Sequence, residues 1–124
     1  MPVRSSNSSV LRWPDAAAVG AALATWAAAE AARRPELVRL GCFGSYARRE
    51  AGVGSDLDLV AVVERSDRPF LERPRDWPTE KLPVPAEILV YTLPEWDRLQ
   101  RTGGRFATTL ATEMVWLVDR STGA

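Results

Sequence analysis

The chain contains no histidine and a single cysteine, Cys42. Without histidine it can build neither a Ser-His-Asp nor a Cys-His apparatus, and no His-ligated zinc site. A lone thiol excludes an internal disulfide framework and is compatible with a reducing compartment. With no imidazole to activate it, Cys42 reads as a small buried apolar residue. An excess of either charge is also missing: 16 Lys and Arg balance 16 Asp and Glu, for a formal net charge of zero. That removes the electrostatic footprint of bulk nucleic-acid binding and leaves open only a local basic patch. No apolar run approaches the roughly eighteen residues of a membrane span, and the opening "MPVRSSNSSVLRWP" lacks the apolar core of a signal peptide. The expectation is a cytoplasmic protein that does not enter a membrane.

What is present is globular. Apolar residues make up 46% and charged residues 26% of the 124, enough for one core and too short for two ordinary domains. Residues 1–12, rich in Ser and Asn, read as a flexible tail, leaving 13–124 as a single domain. From Pro14 or Asp15 to Arg34 an alanine-rich stretch predicts a helix, with Val19, Leu23 and Trp26 on one stripe and Pro35 as its stop. "ELVRLGCF" and "DLDLVAVVE" predict two strands, and Tyr46 to Ala51 between them predicts a short helix. Residues 65–85 hold five of the nine prolines and predict a long loop, a passive connection or a lid. "AEILVYT" predicts a third strand. Helices at "LPEWDRLQR" and "RFATTLATE", broken by Gly103-Gly104, precede a fourth strand, "MVWLVD".

Asp56 and Asp58 stand out in an apolar run. Strand side chains alternate faces, so these two point the same way and Leu57 and Leu59 the other. Paired carboxylates repel and are costly to desolvate without a cation. Mg²⁺, which takes carboxylate oxygens together with phosphates and water, removes the conflict. Glu87, at the start of the third strand, is the candidate third acid if that strand lies beside the second. Ten residues separate Ser45 from Asp56, and Gly44 and Ser45 form a strand-to-turn junction whose amides and hydroxyl are suited to phosphate oxygens.

"GSYARREAGVGSDLDL" resembles the signature of the minimal nucleotidyltransferases, a branch of the DNA polymerase β-like nucleotidyltransferase superfamily: Gly-Ser, about ten residues, Asp-x-Asp, and a later acid. The resemblance runs from about Glu36 to Asp119. It implies an α/β fold, a small palm with a mixed sheet of about four strands flanked by helices. It also implies two Mg²⁺ ions, ATP or another nucleoside triphosphate as substrate, and transfer of the nucleotidyl group to a hydroxyl. Position by position, Gly44 and Ser45 match the phosphate-holding turn, with Arg48 and Ser55 also on the nucleotide side. Asp56, Asp58 and Glu87 match the catalytic and metal-binding acids. Arg49 stands where the family pattern commonly has Gly, so the turn there is expected to differ, and Glu87 stands where Asp is usual.

Minimal members of this family often pair with a HEPN (higher eukaryote and prokaryote nucleotide-binding) protein, in some cases as antitoxin, adding AMP to a tyrosine of the toxin. The resemblance therefore implies a protein adenylyltransferase with a HEPN partner. The alternative is a catalytically weak nucleotide-binding module that silences a partner by complex formation. Modification of a small molecule, of the antibiotic-modifying kind, is disfavoured because no acceptor-binding domain is present. Phe70, Trp77 and Trp96 are candidates either for a contact surface or for packing. An oligomer remains open.

Overall fold

Asp15 opens the first helix: its carboxylate accepts the Ala18 N–H at 2.7 Å, satisfying one of the amides that a helix start leaves unpaired. The structure, a computed structural model, describes residues 14–121; the predicted tail at 1–12 lies outside them. Helix α1, Ala16–Arg33, buries Val19, Leu23, Trp26, Ala27 and Glu30. The first three are the predicted stripe. Glu30 extends it as a charge, only 2% exposed and held by Arg33 at 3.1 Å and Arg34 at 3.0 Å. A buried carboxylate needs such partners, and Arg34 in turn lies over the Trp77 ring at 3.7 Å.

Four strands follow the predicted order: β1 Leu37–Phe43, β2 Leu57–Val63, β3 Ala86–Thr92 and β4 Val115–Asp119. They form one mixed sheet in the order β3-β2-β1-β4, with β1 antiparallel to both β2 and β4, and β2 parallel to β3. The inner strand β2 is covered on both faces, which explains its nearly unbroken apolar run. Leu57, Leu59, Ala61 and Val63 pack towards α1 with Leu40, Cys42, Ile88 and Val90. Val60 and Val62 pack on the other side with Val38, Trp96 and Leu110. That second layer is made by α2, Leu93–Thr102, and α3, Arg105–Glu113. Thr92 and Glu95 form a reciprocal cap at the start of α2, and Gly103 and Gly104, both at positive φ, end it. Close approach of β4 requires Gly41: a Cβ there would lie 2.5 Å from the Val115 carbonyl oxygen.

Two expectations are corrected. Residues 65–85 are not a bare loop: Phe70–Asp76 and Thr79–Lys81 are 3₁₀ turns. Pro69, Pro74 and Pro78 preset φ for tight turns rather than merely breaking elements. Trp77, Leu82 and Val84 then anchor the stretch in the core, and Arg73, 7% exposed, bonds the Val90 carbonyl and both oxygens of Glu95. This packed crossover is what lets β3 run parallel to β2. Tyr46 to Ala51 is likewise no regular helix. Its amides bond at three different spacings: Arg48 to Gly44, Arg49 to Tyr46 and Glu50 to Ser45. Of the aromatic candidates, Trp77 and Trp96 are buried, and half-buried Phe70 packs on Tyr91 at 5.2 Å. Their role is packing.

Candidate active site

The turn after β1 is shaped by Gly44. Its φ is +82°, and a Cβ at that position would collide with Asp58 Oδ2. Only glycine accepts both conditions, so the backbone of the turn lies directly against the carboxylate. Arg49 has a φ of 64°, in the left-handed region where glycine is favoured. Arg49, placed where the family pattern commonly has Gly, thus holds a glycine-like backbone conformation, and the Arg residue carries the strain.

Ser55 closes the loop that leads into β2. Its Oγ accepts the Gly52 N–H at 2.9 Å and its N–H donates to the Gly52 carbonyl at 3.0 Å. Tyr46 reaches across, its hydroxyl donating to the Ser55 carbonyl at 3.4 Å. Ser55 therefore holds the approach to Asp56 in shape.

Asp58 lies opposite Glu87 in the β2–β3 register and opposite Phe43 in the β1–β2 register. The parallel pairing of β2 with β3 is the decision that brings the sequence-distant Glu87 beside Asp58. Asp58 is half-buried, whereas Asp56 and Glu87 are exposed. Burial raises the Asp58 pKa above its ordinary value, and the negative charges of Glu87 and Asp56 raise it further, opposed by Arg48. The three acids thus share one negative field, centred on Asp58. Among the described residues no group of three or more His, Cys, Asp or Glu side chains closes into a ready-made metal cage. The donor chemistry nevertheless fits a hard divalent cation, since carboxylate oxygens are its preferred ligands and the repulsion at Asp58 is what a cation relieves.

Arg48 is exposed at the rim, bonded through Nε to Glu50 at 2.8 Å and through Nη1 to Glu113 at 2.9 Å. These hydrogen bonds, led by Glu50, raise its pKa. The same Glu113 oxygen accepts the Gly44 N–H at 3.3 Å. Glu113, the last residue of α3, was absent from the sequence-based candidates. A signal for it existed: a carboxylate at the negative end of a helix dipole is misplaced unless a donor outside the helix holds it.

The profile of the nucleotidyltransferase domain family matches residues 27–102, more than half of the chain. The chain belongs to the nucleotidyltransferase domain family. Its minimal nucleotidyltransferase assignment, its α/β fold and its mixed four-stranded sheet agree with the expectations from sequence. The crystal structure of a Sulfolobus solfataricus protein, described only as a candidate nucleotidyltransferase, superposes with a TM-score of 0.56 at 19% identity. The match covers 81% of this chain and 79% of that one, a likeness of fold. No curated protein sequence matches. Membership carries the class of reaction, transfer of a nucleoside monophosphate group, for which such domains generally use a nucleoside triphosphate and a divalent metal. Every sequence-predicted site residue lies within the matched stretch of this nucleotidyltransferase, and α3 and β4 lie beyond it. Among the described residues no helix is long and apolar enough to cross a membrane.

Proposed function

We propose that this nucleotidyltransferase moves AMP from Mg²⁺-bound ATP to a hydroxyl on a HEPN-type partner protein, as the antitoxin of a cytoplasmic toxin–antitoxin pair. The observation that carries the site assignment is the juxtaposition at Asp58, with Glu87 beside it in the parallel register and the Gly44 backbone pressed against it. Asp56, Asp58 and Glu87 would hold two Mg²⁺ ions, which supply charge neutralisation at the phosphates when bound. Gly44 and Ser45 bind phosphate oxygens through the turn, and Arg48 offers its guanidinium to the same charge. Glu87 accepts the proton of the acceptor hydroxyl. The hydroxyl oxygen forms its bond to the α-phosphorus as the bond to the pyrophosphate oxygen breaks in line. Ser55 contributes by fixing the loop ahead of Asp56.

Incubation with ATP, Mg²⁺ and the co-purified partner, read by intact mass, tests this reading. A gain of one AMP on the partner is expected, lost in the Asp56→Ala, Asp58→Ala double variant. A stable complex with no mass change, together with ATP binding, would replace it by the second reading, a nucleotide-binding module that silences by association. Glu87, standing where Asp is usual, favours that alternative, because its longer side chain displaces the general base from the acceptor.

A further inference from the structure

We propose that the Glu113 carboxylate stands in for a phosphate group at the Gly44–Arg48 turn, so that a nucleoside triphosphate must displace it to bind. This inference rests on the reading of Gly44, Ser45 and Arg48 as the triphosphate site. One oxygen, Glu113 Oε1, takes both the Gly44 N–H at 3.3 Å and Arg48 Nη1 at 2.9 Å. A backbone amide has one hydrogen to give, so it cannot serve the carboxylate and a phosphate oxygen together. The occupant is an anion held by two donors of an anion site, from a helix end whose own dipole disfavours it. Its departure costs α3 little for that reason.

Glu50 also holds Arg48, through Nε at 2.8 Å, so the guanidinium keeps a tether beside the turn when Glu113 leaves. Glu113 comes from α3, outside residues 27–102 matched by the family. The apparent affinity for any ligand that uses the cradle is reduced by the fraction of time the carboxylate occupies it. Adenosine, which has no phosphate, does not feel the competition. Inorganic triphosphate feels it as strongly as ATP.

Calorimetry with Mg²⁺-ATP and with Mg²⁺-triphosphate on the parent, Glu113→Gln and Glu113→Ala decides the matter. Both variants are expected to bind both probes about three- to tenfold tighter than the parent, with Ala ahead of Gln, the range being modest because the pair is partly solvated. In the parent, saturation with either probe should shift the Gly44 amide and the Glu113 side-chain carboxyl resonances together. Equal or weaker binding by the variants, or a Glu113 carboxyl unmoved at saturation, overturns the displacement while the triphosphate site stands. No binding of either probe by any of the three proteins overturns both.

Discussion

Two arginine–glutamate pairs in this molecule use the same groups for opposite ends. Arg73 and Glu95 tie the proline-rich crossover to the start of α2: the guanidinium is 7% exposed, engages both carboxylate oxygens at 2.6 and 3.1 Å, and also donates to the Val90 and Arg68 carbonyls. Arg48 and Glu113 meet through one nitrogen and one oxygen at the rim of the site, with 42% of the Arg48 side chain and 23% of the Glu113 side chain exposed. Geometry and solvent, not residue type, set the difference. A fork whose guanidinium is buried, with four of its five N–H donors matched, is a lock, because breaking it strands a charge. A half-solvated single contact is exchangeable, because water and ligands can take either partner.

The comparison is broken most sharply by truncating the two acids. Glu95→Ala should destabilise the fold by about 3 kcal/mol by leaving Arg73 buried and unpaired, read as a fall in denaturation midpoint. Glu113→Ala should move the melting temperature by no more than about 1 °C. Comparable losses in both would erase the distinction between lock and occupant.

Acid separates them next. Arg73 holds the Glu95 carboxyl down at about 2, below its ordinary 4.5. A depressed carboxylate contributes stability that is present above the unfolded value and lost as protons are added. That share, about 2 kcal/mol after allowance for its partial exposure, should disappear between pH 4.5 and about 2. Glu95→Gln should flatten this limb of the stability profile, and a profile unchanged by that substitution would contradict the assignment.

At the site itself, strain and repulsion should be recoverable as stability. Asp58→Asn removes a half-buried charge that faces two other acids, and a gain of about 0.5–1 kcal/mol is expected together with loss of transfer activity. Arg49→Gly relieves a left-handed backbone and should yield up to about 1 kcal/mol, the lower unfolded-state entropy of Arg offsetting part of it. Denaturant midpoints measure both, and destabilisation by Arg49→Gly would show that its side chain matters more than its φ. The smallest effect is ionic. Raising salt should weaken Arg48–Glu113 while leaving Arg73–Glu95 intact, seen as Glu113 carboxyl shifts without a change in the Glu95 signal.

Much of the fold was legible because its signals are local. The α1 stripe, the Gly103-Gly104 break and the apolar run of β2 each depend on neighbours within a few residues, and each appears where periodicity and turn chemistry place it. The crossover at 65–85 was misread because proline marks both the end of an element and the start of a 3₁₀ turn. Only burial of Trp77 and Arg73 distinguishes the two. The site was legible in type, in the spacing from Gly44-Ser45 to Asp56 and Asp58, and less so in assignment. The bond of Ser55 to Gly52 and the place of Glu113 emerged only once the loop and α3 were packed across the turn.

The sequence by itself determined which residues carry charge at the β2 edge and that Gly44 must precede them, because alternation along a strand and the absence of a Cβ are properties of the chain alone. The tertiary structure decided what those residues meet. Parallel pairing of β2 with β3 sets Glu87 beside Asp58, and the return of α3 sets Glu113 on the Gly44 amide. These contacts span 29 and 69 positions of chain, and no local preference encodes a meeting at that range. It is fixed by which apolar faces the sheet and helices must bury together.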